Sequence, residues 1–164
     1  MKKLGLLAGA ALILAACSDG EPEPLTISGV SVETDLPAVG SRQAVAYWQS
    51  LNDDLETAIA AQFVGRTDPM GKQINVDVDE ISLNSAFMAG ATAETARLSG
   101  RVTLVNLDGT DAAAYDVTAT SQDVVSYLPP GSDIVTIQPT SAEYYQAIVQ
   151  AFARGTAQTL SATP

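Results

Sequence analysis

The sequence predicts an α+β fold, a two-layer sandwich in which a mainly antiparallel sheet of about four strands carries two helices on one face. Three observations lead there. Short segments alternate apolar and polar residues, two longer segments repeat apolar residues every three or four positions, and their order is strand, helix, strands, helix. With 164 residues, 46% of them apolar, the chain has the length and composition of one domain around a single core.

The first strand is predicted at Thr26–Thr34, where Val30 and Val32 alternate and the following DLPAVG ends the run with a proline and a glycine. A helix is predicted from Ser41 to Phe63. Its stripe is Ala44, Trp48, Leu51, Leu55, Ala58, Ile59 and Phe63, with Ser41 as the amino-terminal cap and Gly65 closing the other end. Trp48 reads as a core anchor, while Tyr47 points elsewhere.

GRTDPMGK, residues 65–72, ends in Gly-Lys but fails as a phosphate loop. It is one residue too long, Gln73 stands where Ser or Thr would meet magnesium, and a strand follows. It reads as a turn. In the next strand Ile74, Val76 and Val78 share one side; Ile81 and Leu83 take the opposite parity, which predicts a bulge near Asp79 and Glu80.

A hairpin follows. Leu98, Val102 and Leu104 alternate on one strand and Tyr115, Val117 and Ala119 on the next, with Asp108-Gly109 read as a type I′ turn. Arg97 and Arg101 are expected to face Asp77 and Asp79 across the strands. Residues 124–139 hold two short apolar runs around Pro-Pro-Gly and fit either a small hairpin or an ordered loop. Thr140–Glu143, TSAE, reads as a capping box opening a second helix, with Tyr144, Ile148, Ala151, Phe152 and Gly155 on one face. Gly155 marks either close packing or a weak point. Tyr145, beside Tyr144, is expected to be an exposed aromatic.

The amino end is of another kind. Met1 and two lysines precede thirteen uncharged residues, Leu4–Ala16, a length suited to a secretory signal and short of the roughly 20 residues that cross a bilayer. Leu14, Ala15, Ala16 and Cys17 resemble the lipobox of bacterial lipoproteins. That resemblance covers about the first seventeen residues. It implies lipidation of Cys17, with cleavage before it and palmitate-type chains anchoring the protein in the membrane; two or more chains hold stably where one is marginal. Ser18 after the cysteine fits the outer-membrane sorting pattern, which gives a domain facing the periplasm. The expected organisation is a cleaved signal peptide at 1–16, an acylated cysteine and tether at 17–25, and one α+β domain at 26–164. In the tether, two Glu-Pro pairs favour extended backbone. The folded part also looks like small α+β periplasmic lipoproteins of unassigned function, a likeness of pattern that raises the expectation of a non-catalytic assembly role.

Charge and composition narrow the chemistry. Without Lys2 and Lys3, six basic residues face nineteen acidic ones, a net charge of −13, which disfavours nucleic acid. There is no histidine, and Cys17 is the only cysteine, so disulfides, Cys/His zinc sites and histidine-based triads are excluded. The expected function is a membrane-anchored periplasmic interaction or envelope-assembly module, not an enzyme, with no cofactor. A periplasmic protein partner would contact Tyr127, Leu128, Ile134 and Tyr145. The alternative is a carboxylate-based small-ligand or divalent-cation binding protein or enzyme using Asp77, Asp79 and Glu80.

Overall fold

Alternation on the strands puts one apolar face on the sheet, and both helices cover it. In the computed structural model the chain is described at residues 24–34, 49–79 and 92–162. Cys17, Ser41, Ala44, Tyr47, Trp48, Glu80, Ile81 and Leu83 lie outside these residues. The elements are β1 (Ile27–Glu33), α1 (Leu51–Ala61), β2 (Lys72–Val78), β3 (Leu98–Val105), β4 (Asp111–Ala119), α2 (Ser121–Val125) and α3 (Ala142–Ser161).

The four strands lie in the order β1-β2-β3-β4. The pairs β2–β3 and β3–β4 are antiparallel, as expected, but β1 pairs with β2 in parallel. The sheet is therefore mixed, because a strand–helix–strand segment returns its second strand in the direction of the first. Ile74, Val76 and Val78 of β2 are buried, as are Leu98, Val102 and Leu104 of β3 and Val117 and Ala119 of β4. Against them pack Leu55, Ile59 and Phe63 from the α1 segment, and Tyr144, Ile148 and Phe152 from α3. The opposite sheet face is open to solvent, an arrangement that antiparallel pairing allows.

Several local expectations are corrected. A helix running unbroken from Ser41 does not form: residues 49 and 50 are a turn, and Ser50 is the cap residue of α1. Gly65 does close the helical segment, in the left-handed region at φ 78°. The bulge expected near Asp79 and Glu80 runs into residues outside those described; within them the pairing shifts register between Leu104 and Val105 of β3 and in β1, where Ser28 is passed over between Ile27 and Gly29. That extra residue lets Ile27 and Val32 both reach the core despite opposite parity. β2 ends at Val78, with the Asp79 amide still donating to the Ser99 carbonyl at 2.8 Å.

The β3–β4 turn is not type I′, since that form needs φ above zero at both central residues and only Gly109, at 81°, has it. The Gly109 amide donates to the Asn106 carbonyl and the Asn106 amide to the Thr110 carbonyl, giving a three-residue loop with glycine in the left-handed position. The cap of α3 is Ser141, one residue after Thr140; its hydroxyl accepts from the Tyr144 amide at 3.2 Å, so the Thr140–Glu143 box is not the one that forms.

β1 is an edge strand. Glu56 of α1 reaches it, and its carboxylate accepts the Val32 amide at 2.9 Å. One edge donor is thereby withdrawn from any incoming strand.

The topology gives the domain two ends. At the near end, the described chain begins at Pro24, β1 and β2 start, α1 finishes, and the β3–β4 turn and the carboxyl end of α3 are found. At the far end lie the start of α1, the start of β3, α2 and the start of α3.

Candidate interaction surface

The far end is built by two short-range caps and a run of turns. After β4, the Asp123 carboxylate accepts from both the amide and the hydroxyl of Thr120, at 2.8 and 2.7 Å, and opens α2. These bonds favour the charged carboxylate and hold its pKa below the ordinary value. α2 buries Val124 and leaves the adjacent Val125 52% exposed. The chain then turns rather than pairing: Ser132 N–H donates to the Pro129 carbonyl, and the Asp133 carboxylate accepts the Val135 amide at 2.9 Å. Of the two shapes the sequence allows, the ordered loop is the one adopted.

This places the expected contact residues unequally. Tyr127 is exposed. Leu128 and Ile134 are half-buried and pack on the core together with Ile137, so they hold the loop down. Tyr145 is buried, contrary to expectation, and its hydroxyl donates to the Asp54 carboxylate. The reason is that α3 is enclosed on more than one side, packing on β4, α1 and α2. Tyr144 and Tyr145 can both be covered because different neighbours cover them. The Asp54 carboxylate also accepts from the Ser50 hydroxyl at 2.7 Å.

Tyr127 and Tyr145 come together along one groove of about 510 Å³ on the α1–α3 seam, whose walls include Asp54, Thr57, Val149 and Gln150. At this end two exposed apolar residues were missed in the sequence, Val125 and Val135. The signal for Val125 was available: in a helix as short as α2, two adjacent valines cannot both face inward. Carboxylates at Asp53, Asp54, Asp79, Asp123, Asp133 and Glu143 surround this end, with Arg97 among them.

The alternative site lies elsewhere, on the open sheet face. Asp77, Arg101 and Asp116 stand side by side on three strands. Arg101 pairs with Asp116 at 3.4 Å, both side chains mostly in solvent, so the contact is worth little. Arg101 faces Asp77 in register, as expected, but its bond goes to Asp116 on the other side. A shallow hollow of about 270 Å³ includes Asp77, Asp79, Ser99, Arg101 and Asp116. Among the described residues no three acidic, histidine or cysteine side chains converge as a metal site would require.

No helix among the described residues is long and apolar enough to cross a membrane. No family model and no curated protein matches the chain. Among solved structures it is similar to a putative lipoprotein from Caulobacter crescentus, at 14% identity and a TM-score of 0.45, over 82% of this chain and 88% of that one.

Proposed function

We propose that the protein is a lipid-anchored periplasmic module of the cell outer membrane, acylated at Cys17, that binds another envelope protein through its far end and performs no catalysis. The observation that carries this reading is the far end itself. Val125, Tyr127 and Val135 are exposed there within an acidic surround, at the opposite end of the domain from the point where the tether joins. A lipid anchor at one end and an apolar patch at the other suit a protein that reaches into the periplasm. The partner that fits is a protein surface with an apolar centre and a basic rim. The lipobox motif supports the anchor. The open setting of Asp77 and Asp79, beside an exposed Arg101, speaks against the carboxylate alternative.

Two measurements test this. Metabolic labelling with a palmitate analogue is expected to mark the protein, and Cys17→Ser is expected to abolish the label and leave an unprocessed precursor. Normal maturation of that variant refutes the anchor. A photo-crosslinker at Tyr127 in intact envelopes should give a discrete adduct that weakens as salt rises, because charge complementarity is screened, whereas the same probe at Thr103 on the open sheet face should give none. Equal labelling from both positions removes the far end as the contact surface.

A further inference from the structure

The near end carries its own apolar residues, and they are placed where the chain leaves for the tether. Val64 is 81% exposed, Met70 73% and Leu107 60%. Val64 follows α1, Met70 precedes β2, and Leu107 tips the β3–β4 turn. Register puts all three at one end: Ile27 pairs with Lys72 and bridges Thr67, and Gln73 at the start of β2 pairs with Val105 at the end of β3. Strands are about 4.8 Å apart, so the β3–β4 turn stands roughly 10–15 Å from β1 along the sheet end. A hollow of about 580 Å³ at this end is bordered by Pro24, Leu25, Met70, Lys72, Tyr115 and Leu160, which shows that the first described residue and the end of α3 face the same space.

Charge differs here too. Among the described residues Arg66 and Lys72 are set against Asp68, Asp108 and Asp111, so the folded surface of this end carries little net negative charge, the carboxylates just before it in sequence, Asp19, Glu21 and Glu23, belonging to the tether. Arg66 is occupied within the fold, its guanidinium over the Phe63 ring at 4.7 Å and donating to the Gln62 carbonyl.

We infer that Val64, Met70 and Leu107 seat the near end of the domain on the bilayer that holds the anchor, with Lys72 at the level of the lipid phosphates. The occupant is fixed by the length of chain between the two. From Cys17 to Pro24 there are seven Cα steps, at most about 25 Å when fully extended. Once Cys17 is acylated, this end is therefore kept within a short distance of the lipid, at a high effective concentration. Three apolar side chains that would bind a free membrane weakly then suffice to dock a domain already tethered to it. The inference rests on the lipoprotein reading of Cys17.

The test uses the acylated full-length protein in vesicles of phosphatidylethanolamine and phosphatidylglycerol, some with brominated acyl chains. Acylation consumes Cys17, so a cysteine introduced by Leu107→Cys is the only free thiol and takes an environment-sensitive fluorophore. The label at 107 is expected to shift to the blue and to be quenched at least twofold by the brominated lipid, while one introduced by Val135→Cys at the far end shows neither change. Combined Val64→Ser and Met70→Ser in the labelled protein should reduce the quenching without preventing flotation with the vesicles. Flotation with the 107 label as water-exposed as the 135 label overturns the docking and leaves the anchor standing. A protein that carries no acyl mass and does not float overturns both.

Discussion

Outside the sheet ladder, the bonds that join one segment to another differ between the two ends of the domain. At the near end the lock is main chain on main chain: the Ile27 amide donates to the Arg66 carbonyl, the Asp68 amide to the Ile27 carbonyl, and the Lys72 amide to the Thr26 carbonyl, at 2.9–3.1 Å. At the far end, where the turns also close on main-chain bonds, α3 is tied to α1 through side chains, Tyr145 to Asp54, and the helix starts are held by others, Ser50 with Asp54, Thr120 with Asp123 and Ser141 with Tyr144. A main-chain lock depends little on which side chains are present, so Val64, Met70 and Leu107 are free to serve another purpose. A side-chain lock depends on each residue, and the far-end surface moves with it. The near end is therefore expected to be the more rigid one, and the far end the more adjustable one.

The largest effect is expected where the near-end lock is tightest. A Cβ added at Gly71 would lie 2.7 Å from the Ile27 carbonyl carbon and 2.8 Å from the Ile27 nitrogen and the Thr26 carbonyl carbon, all backbone atoms that cannot rotate aside. Gly71→Ala should cost about 3 kcal/mol, at the upper end of overpacking penalties, read as a lower urea midpoint. Faster exchange of the Ile27 and Lys72 amides should accompany it. An unchanged midpoint would mean that the near end yields easily and that the contrast between the ends is false.

The far end is tested by two neighbouring tyrosines that should respond with opposite sign. Tyr145→Phe removes a hydrogen bond to a carboxylate and should destabilise by about 1.5 kcal/mol. The Tyr144 hydroxyl is buried with no hydrogen-bond partner among the described residues. Tyr144→Phe should therefore stabilise, by about 1 kcal/mol, because an unmet polar group no longer has to be desolvated. Burial pushes the Tyr144 pKa from 10 up to about 12. An acid whose pKa is raised on folding contributes stability that is whole below the unfolded value and is lost as pH rises. The wild type should thus lose stability between about pH 10 and 12, and Tyr144→Phe should flatten that slope in urea melts taken across the range. A destabilised Tyr144→Phe would mean that the hydroxyl has a partner, and an unchanged slope would mean that burial does not hinder its ionisation.

These neighbours also show how far the sequence could be read. Period and parity located all four strands and the long helix, because alternation on a half-covered sheet is a local property. Strand direction is not local: nothing in TISGVSVE distinguishes a parallel neighbour from an antiparallel one, and the crossover through α1 decided it. Tyr145 was misjudged for the same reason, since one helical stripe implies one covering layer and α3 has more than one. The ambiguity at Gly155 needed a distance. An added Cβ would meet Val117 Cγ1 at 3.5 Å, an ordinary contact, so the glycine is a weak point in the helix rather than a close crossing. Tyr127 was legible as a loop-tip aromatic, whereas Val125 and Val135 depended on which of two adjacent residues each turn presents outward.

The smallest expected effect compares the same chemistry at the two ends. Asp123 at the far end and Asp108 in the near-end turn each accept an amide and a hydroxyl from one threonine, Thr120 and Thr110, and both pKa values are lowered mainly by that hydroxyl. A carboxylate with a depressed folded pKa contributes stability above its ordinary value, near 3.8, and gives it up as pH falls through the lower folded value. Asp123 opens a five-residue helix with little else to start it, so Asp123→Asn should lower stability at neutral pH by roughly 0.3 kcal/mol after solvent screening. The Val125 amide should exchange faster, and the deficit should vanish as pH falls through the lowered folded value. The Asp108 turn is already closed by two main-chain bonds, Gly109 to Asn106 and Asn106 to Thr110. Asp108→Asn should therefore cost less than Asp123→Asn at neutral pH, and its smaller deficit should likewise fade as pH falls through the lowered folded value. Equal losses from the two substitutions would show that side-chain ties matter as much at the near end as at the far one, and the division of the molecule into a rigid base and an adjustable tip would no longer hold.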